Sequence, residues 1–348
     1  MLLTWLEAIP GIVIGNFAQV LVYPLNPIQR LYWLYLVSSL VMAVLAWLLY
    51  RRREGREGFL SFCFPREVWG HPSAWLDVRY FFVHQTLRVW IYGALVVSIS
   101  LGTAGLLEAP LRWLLPGADA ALAPPSPPQR AILTLVSVAL VDLAQFATHM
   151  LQHRVPLLWE FHRVHHSPPV LHPLSNYREH PVDNLSYALA NGTVVGITTA
   201  GVAGLMGCEL RTVDVVGVNL FHFAFNFLGY NLRHSHIWLA WPSWLGYVLG
   251  SPAYHQIHHS TDPRHLNRNF AFIFPIWDRL FDSLYLPREP ERLTFGLGDG
   301  SEADYDAVLK LYWLPFARIA RGAHRAPIAA ETSAPSGYAG DDGSPAGP

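Results

Sequence analysis

The chain contains an uninterrupted stretch of twenty residues without a charge, from Leu31 to Tyr50. A stretch of this length can cross the roughly 30 Å hydrocarbon core of a bilayer as one helix. Charged residues make up only 14% of the 348 residues, whereas a soluble domain carries about 25%. The formal net charge of −1 provides no basic field that would attract nucleic acid. The sequence therefore predicts an all-α, polytopic membrane bundle.

Three arginines, Arg51 to Arg53, follow this stretch, and the positive-inside rule places that end in the cytoplasm. The other apolar segments are about 89–107, 131–150, 184–207 and 212–232, with 5–24 as a further span or an interfacial helix. Counting these crossings gives four to six spans and places the histidine-rich segments in a cap on the cytoplasmic face. Residues 110–128 are predicted as an external loop. Residues 237–250 are too short to span, and their three tryptophans predict an interfacial helix.

The domain organisation predicted from composition is simple. Residues 1–321 form one membrane-embedded domain, and residues 322–348, rich in Ala, Pro, Gly and Ser, form a disordered tail. The first residues lack the basic start and cleavage site of a signal peptide. Two distant cysteines, Cys63 and Cys208, give no disulfide framework.

Histidine is concentrated in one third of the chain, where 14 of the 17 histidines lie between His149 and His265. Three motifs carry most of them: HMLQH at 149–153, HRVHH at 162–166 and HQIHH at 255–259. Histidines three or four residues apart share one face of a helix, while the adjacent pair in HxxHH diverges and can serve two neighbouring ions. Imidazole suits iron, zinc and copper, and eight ligands imply two metals. The predicted ligands are His149, His153, His162, His165, His166, His255, His258 and His259.

Further residues are predicted around this dimetal centre, which is itself the catalytic group, with no separate acid or base assigned. His234, where the last predicted span ends, is an additional ligand. The substrate pocket is predicted at Asn226, Phe223 and Tyr230. Asp142 lies seven residues before His149 on the same predicted helix face, and an acid inside a span is usually functional. The candidates for either a ligand or a residue that orients one are His180, His236, His222, Asp142 and Asp262.

The order of six segments between residues 142 and 285 resembles the fatty acid hydroxylase and sterol desaturase superfamily. These segments are HMLQH, HRVHHS, YREHPVD, LRHSH, PAYHQIHHSTD and NRNFAFIFPIWDRLF. The resemblance implies a membrane dimetal oxygenase that hydroxylates or desaturates a lipid with two iron ions and O2, and zinc could replace iron on isolation. It assigns metal binding to the nine histidines named above. Ala271 and Asp282-Ser283 depart from the family pattern, which commonly has glycine and Gly-Thr there.

The resemblance also implies partners and a location. The substrate is a lipid in the membrane, and electrons come from a separate donor, a cytochrome b5-like protein or a ferredoxin with its reductase, because the sequence has no HPGG haem segment. The expected location is a bacterial inner membrane or a comparable lipid-synthesising membrane, with the site facing the cytoplasm.

Three alternatives to a lipid oxygenase stay open. A zinc-dependent membrane hydrolase is disfavoured because no HExxH motif is present. A metal transporter or sensor would place its ligands near the middle of the membrane. A non-catalytic metal- or lipid-binding protein would keep the same motifs. The sequence does not choose between hydroxylation and desaturation.

Overall fold

A computed structural model describes residues 2–54, 58–88, 94–114 and 122–322. The described chain is mostly helical. The long helices are α1 (Leu2–Leu21), α2 (Trp33–Glu54), α5 (Pro72–Arg88), α6 (Ala94–Leu114), α7 (Pro127–Arg154), α9 (Pro181–Gly196) and α14 (Val308–Ala320). Shorter helices are α3 (Phe59–Cys63), α4 (Arg66–Trp69), α8 (Pro156–His166), α10 (Leu220–Phe227), α11 (Ser243–Gly246), α12 (Pro252–His258) and α13 (Ile276–Leu280). The strands β1 (Asp214–Val215) and β2 (Val218–Asn219) form an antiparallel hairpin.

Membrane insertion has limited support from the described helices. By length and composition, α7 is the one described helix that could cross a bilayer, and α2 carries a shorter apolar run, Trp33–Leu49. The outward face of α2 is apolar, with Leu40, Leu45 and Leu48 each 46–48% exposed. The number of spans and their orientation stay predictions.

Several predicted segments correspond to helices, and others do not. Helices α2 and α7 cover the segments predicted at 31–50 and 131–150, and α9 continues into a π-helical stretch, Ile197–Ala203. The single span predicted over 212–232 is wrong, because these residues form the β-hairpin and the eight-residue α10, which Gly229 ends at a φ of +82°. Eight residues rise only about 12 Å.

Other predicted segments also differ from the observed helices or lie partly outside the described residues. Only Ser243–Gly246 is helical within 237–250, so the predicted interfacial helix is wrong. Helix α6 extends through Pro110 to Leu114, into the segment predicted as a loop. Residues 89–93 of another predicted span, and residues 323–348 of the predicted tail, lie outside the described residues.

A proline determines how the first two histidine motifs meet. Val155 is extended, as expected for a residue that precedes proline, and Pro156 occupies the first turn of α8. The chain therefore turns sharply between α7 and α8. Trp159 from α8 contacts the ring of His153 from α7, at 5.1 Å between centroids. This turn folds the HRVHH motif back onto the HMLQH motif.

The third motif is held against this corner by a buried hydrophobic cluster. Phe146 from α7, Tyr254 from α12, and Phe270 and Ala271 from the following loop pack together. A second cluster joins α8 to α5 and α14 through Val164, Tyr80 and Leu311. Helices α7, α8 and α12 thus meet in one histidine-rich lobe.

Candidate metal centre

The nine histidines predicted as ligands lie together in this lobe. They form two groups, and within each group the candidate ligand atoms lie within 4.8 Å of one another. All nine are between 1% and 6% exposed. Group one contains His149, His153, His162, His166 and His258, and group two contains His165, His234, His255 and His259.

The division follows from helix geometry. Within HRVHH, His165 belongs to group two, whereas His162 and His166 belong to group one. Within HQIHH, His258 faces group one, and the flanking His255 and His259 face group two. Neighbouring residues on a helix diverge by about 100°, so HRVHH and HQIHH each contribute to both groups, whereas both histidines of HMLQH belong to group one. The two groups therefore share two helices and lie side by side.

The spacing of the ring nitrogens fits bound metal ions. The Nε2 atom of His255 lies 3.0 Å from Nε2 of His234 and 3.1 Å from Nε2 of His259. In group one, Nε2 of His258 lies 3.1 Å from Nε2 of His166. Adjacent nitrogens at about 2.1 Å from one octahedral ion lie about 3 Å apart.

Unsatisfied atoms point the same way. His153 Nε2 and both ring nitrogens of His162 are buried without a hydrogen-bond partner. Buried polar atoms without a partner are rare, because losing water without replacement costs free energy. A metal ion in group one would bind one nitrogen of each of these two rings, and the nitrogens of group two lie close enough for a second ion, so the residues fit a dimetal centre.

Three histidines are oriented by hydrogen bonds from their other ring nitrogen. His149 Nδ1 donates to the carbonyl oxygen of Phe270 at 2.8 Å, and His258 Nδ1 donates to that of Arg268 at 2.8 Å. In group two, His234 Nδ1 donates to Ser175 Oγ at 3.0 Å. Each bond places the proton on Nδ1 and leaves the Nε2 lone pair for a metal.

Asp142 supports the metal centre indirectly. Its carboxylate accepts hydrogen bonds from the backbone N–H groups of Ile273 and Phe274, both at 2.8 Å, and from Trp277 Nε1 at 2.9 Å. It therefore fixes the segment that carries the Phe270 carbonyl, and this carbonyl accepts the hydrogen bond of His149. This arrangement explains why an acid is buried in the middle of α7.

Asp278 and Asn269 fix the other side of the same segment. Asp278 accepts from the N–H groups of Phe270 and Ala271, each at 2.8 Å, and from the Tyr254 hydroxyl. Asn269 adopts a left-handed φ of +62°, a conformation that asparagine tolerates, and its amide bonds the backbone of Tyr254 and Tyr285. These bonds hold in place the Phe270 carbonyl, which accepts from His149, and the start of the segment next to the Arg268 carbonyl, which accepts from His258.

Burial keeps the ligand rings neutral. Burial first, and then the neighbouring imidazoles, lower the pKa of His259 well below its usual range. Burial and the guanidinium of Arg233 do the same to the pKa of His255, whose Nδ1 lies 2.9 Å from Arg233 Nη2. Neutral imidazole is the form that binds metals.

The other candidate positions fall outside both groups. His180 caps α9, accepting from the Val182 N–H and donating to the Tyr312 carbonyl. His236 Nε2 donates to the Phe62 carbonyl at 2.7 Å. Among the described residues, five candidates belong to neither histidine group, and their roles as ligands or as residues that orient a ligand stay predictions: His180, His236, His222, Asp142 and Asp262.

The positions of Asp262 and His222 outside the two histidine groups have local structural causes. Asp262 caps the turn at Pro263–His265, and hydrogen bonds from Arg264 lower the pKa of Asp262 to about 2. His222 lies on α10, which ends before Gly229 turns the chain toward His234.

A small chamber touches both groups of histidines. It has about 20 Å³ of free volume, enough for one or two water-sized molecules. Its histidine wall comes from His149 and His162 of group one and His165 and His255 of group two. The remaining wall is mostly polar and consists of Arg30, Asn176, Glu179, Asp183, Tyr187, Tyr230 and Phe272.

This lining differs from the predicted substrate pocket. Tyr230 lines the chamber as predicted, whereas Asn226 and Phe223 are not among its lining residues. Phe223 packs on the ring of Tyr35 instead, at 5.4 Å. The crossing count would place residue 30 on the face opposite the histidines, yet Arg30 lines the chamber beside them. That part of the predicted topology does not fit the structure.

A second, larger cavity reaches other edges of the same centre. It has a volume of about 680 Å³ and is lined by His153, His166, His258 and His259. Arg163 and Arg318 also line it, and both pair with the fully buried Glu160. The centre is therefore accessible from two cavities.

Sequence reasoning missed several polar residues near the centre. Asp183 accepts from Gln152 Nε2 at 3.2 Å, and its other oxygen lies 3.5 Å from His162 Nδ1. Asp183 and Glu179 both belong to the YREHPVD segment, which was noted only for its resemblance. Ser175 lies in no motif, and Arg233 lies in LRHSH, where only the histidines were singled out, because the roles of both residues depend on contacts between distant segments.

Comparisons with known proteins agree with the site. Residues 134–283 match the fatty acid hydroxylase family. The chain is 29% identical over 157 residues to alkylglycerol monooxygenase of Danio rerio, covering 45% of this chain and 31% of the relative. It is 30% identical over 184 residues to human cholesterol 25-hydroxylase, covering 49% and 59%. It is 25% identical over 167 residues to ornithine lipid hydroxylase OlsE of Rhizobium tropici, covering 48% and 46%.

The matched region is limited in extent. The chain spans about a third of the length of the alkylglycerol monooxygenases that it matches. No solved structure gave a significant match. The matched residues 134–283 nevertheless include all nine clustered histidines and both carboxylates that fix their supporting segment. Over residues 134–283, the chain resembles the fatty acid hydroxylase family.

Proposed function

We propose that the chain is an O2-dependent lipid hydroxylase with two iron ions held by the nine clustered histidines. The observation that carries this proposal is the pair of adjoining groups of buried imidazoles, with five and four members. The reaction is R–H + O2 + 2 e⁻ + 2 H⁺ → R–OH + H2O. When bound, two redox-active metals supply the activation of O2. The two electrons come from a separate donor, a cytochrome b5-like protein or a ferredoxin with its reductase.

The protein's own residues hold and shield the centre. The carbonyls of Phe270 and Arg268 and the hydroxyl of Ser175 fix three rings, which limits rearrangement during turnover. All nine histidines are buried, so within the described part of the chain the two cavities give access to the centre. A C–H bond can approach both groups from either cavity, because the wall of each cavity includes histidines of both groups. The lipid reaches the centre from a membrane in which the chain is embedded.

Two observations favour hydroxylation by iron over the alternatives. The relatives reported above are named as hydroxylases and a monooxygenase, which supports oxygen insertion over desaturation. A catalytic zinc ion usually takes three protein ligands and a water, whereas the two groups here contain five and four imidazoles.

Metal analysis and isotope labelling test this function. Detergent-purified protein, expressed with added iron, should contain about two irons per chain with a Mössbauer signature of nitrogen ligation. Supplied with ¹⁸O2, a chemical reductant and a membrane lipid extract, it should place one ¹⁸O atom in a lipid product. His165→Ala and His258→Ala, one from each group, should abolish labelling. A protein with two irons that labels no lipid would refute the proposal, as would full activity in either variant.

A further inference from the structure

The small chamber reaches both groups of histidines but has little room. Its free volume of about 20 Å³ holds one or two water-sized molecules, which excludes a lipid chain. Its wall nevertheless includes histidines from group one and from group two. A molecule of two or three heavy atoms in this space can therefore contact the ions of both groups.

Positive charge dominates this space once the two ions are bound. Neutral imidazole ligands leave the charge of a divalent ion uncompensated. Arg30 adds a further positive charge to the wall, whereas Glu179 and Asp183 add two carboxyl groups, too few to balance the ions and the guanidinium. Opposite charges attract strongly in an enclosed space of low dielectric. The chamber thus favours a small anion, or a small neutral molecule that gains negative charge as it reacts.

Arg30 is positioned at this chamber by contacts with distant parts of the chain. Its carbonyl oxygen accepts a hydrogen bond from Asn231 Nδ2 at 2.9 Å. The guanidinium carbon lies 5.8 Å from the ring centroid of Tyr177 and 5.5 Å from that of Tyr230, so two aromatic rings hold the cation. The guanidinium is therefore in place before any ligand binds.

Most of the hydrogen-bonding capacity of this guanidinium is unused. Within the described part of the chain, the Arg30 side chain has one hydrogen-bond partner, Glu179 Oε1, at a long 3.4 Å. A guanidinium offers five N–H donors and no acceptor. Arg30 can therefore donate to an anion in the chamber without giving up a strong bond.

We infer that the chamber binds a small anionic ligand of the two metals, and that Arg30 donates a hydrogen bond to this ligand. In turnover the ligand is O2, which gains negative charge as it takes up the two electrons of the reaction. A donor that is already in position stabilises developing charge without the reorientation that water needs. Arg30 lies outside residues 134–283, so the family match does not include it. The inference rests on the proposed function for the role of O2, whereas anion binding is measured separately.

Azide binding tests this site without turnover. Azide is a linear anion of three atoms that gives a charge-transfer absorption band when it binds ferric iron. Oxidised, iron-loaded protein in detergent is titrated with azide alone, and the iron content of each protein is measured. We expect Arg30→Met to weaken azide binding by at least about tenfold, because a hydrogen bond to a charged group is lost. Arg30→Lys keeps the positive charge and should fall between wild type and Arg30→Met.

Two further variants make the test specific. Glu179→Gln removes the carboxylate that competes for Arg30, so azide should bind at least about threefold more tightly. This result does not depend on whether Arg30→Met retains both irons. The matched control is Arg318→Met, which removes an arginine from the wall of the larger cavity and leaves Glu160 paired with Arg163. Its azide affinity should equal that of wild type.

The outcomes separate the inference from the proposed function. Unchanged azide affinity in Arg30→Met with two irons bound would overturn the inference, and so would unchanged or weaker binding in Glu179→Gln. A larger loss in Arg318→Met than in Arg30→Met would place the anion in the larger cavity and would also overturn it. If ¹⁸O enters a lipid while azide affinity is independent of Arg30, the inference is wrong and the hydroxylase function stands. If azide binding follows Arg30 and Glu179 but the protein labels no lipid, the anion site stands and the hydroxylase function fails.

Discussion

The carbonyl oxygen of Phe270 accepts a hydrogen bond from Nδ1 of His149 at 2.8 Å, although 121 residues separate them. This bond links the end of α7 to the segment that follows the third histidine motif. The segment is itself bonded back to α7 through Asp142. The two contacts connect α7 and residues 270–274 in both directions. Asp142 on α7 holds the backbone of this segment, and the segment orients the His149 ring on α7.

Replacing Asp142 with asparagine tests whether these contacts orient His149. The amide keeps one acceptor oxygen but presents N–H donors where the N–H groups of Ile273 and Phe274 now donate. We expect a loss of about 2 kcal/mol in stability, because buried donors lose their acceptor, and at least about a tenfold lower iron affinity. Thermal unfolding and metal titration of purified protein measure both. Asp306→Asn, an exposed acid paired with Lys310, should change neither. Normal iron affinity in Asp142→Asn would show that the segment does not orient His149.

The two histidines of the LRHSH segment give a matched pair of variants. His234 lies in group two, whereas His236 donates to the Phe62 carbonyl outside both groups. We therefore expect His234→Ala to bind about one iron per chain and His236→Ala to bind two. Elemental analysis of the two proteins, purified in parallel, measures the difference. Loss of the same number of irons from both variants would contradict the division into groups.

Ser175 offers a milder change at the same group. Its hydroxyl accepts from His234 Nδ1 and donates to the His172 carbonyl, so it fixes both the tautomer and the rotation of the ring. We expect Ser175→Ala to weaken binding of the second metal by about 10- to 100-fold. Sequential metal titration should show one unchanged and one weakened site. Ser186→Ala, which removes a hydroxyl bonded only within α9, is the control and should leave both sites unchanged.

The sequence was sufficient to predict which histidines come together. Spacings of three and four residues on a helix determine which rings share a face, so the motifs themselves contain that information. The HxxHH motifs also predicted two neighbouring groups, because adjacent helical residues diverge. Most other roles depended on distant contacts. Asp142 was noticed because an acid in an apolar helix is unusual, but its partners lie more than 130 residues away.

The polar chamber could not be predicted for the same reason. Arg30 and Glu179 are 149 residues apart and carry no shared motif. Topology by crossing count failed where irregular backbone replaced a helix, as at the hairpin before α10 and at Gly229. Hydropathy measures composition, and it does not detect a turn that a left-handed glycine makes inside an apolar segment.

A buried histidine away from the metal centre gives a prediction for pH. His84 on α5 is 1% exposed, with Nδ1 3.0 Å from the Tyr312 hydroxyl. Burial, only partly offset by the charge of Glu179, lowers the pKa of His84 from 6.5 to about 4. The unfolded chain therefore binds a proton near pH 6.5 that the folded chain accepts only near pH 4. Stability should fall as pH drops through this window, by about 2 kcal/mol at pH 5 relative to pH 7 from this residue alone.

The variant His84→Asn isolates that contribution, because its amide oxygen can replace Nδ1 as a partner for Tyr312 and does not titrate. Denaturant unfolding in detergent at pH 7 and pH 5 gives the pH-dependent loss of stability for each protein. We expect the loss to be about 2 kcal/mol smaller in His84→Asn than in wild type. His71→Asn, at a partly exposed histidine just before α5, is the control. Stability that is lost on acidification requires the chain to bind a proton when it unfolds. An equal loss in wild type and His84→Asn would therefore mean that other histidines, and not His84, bind that proton.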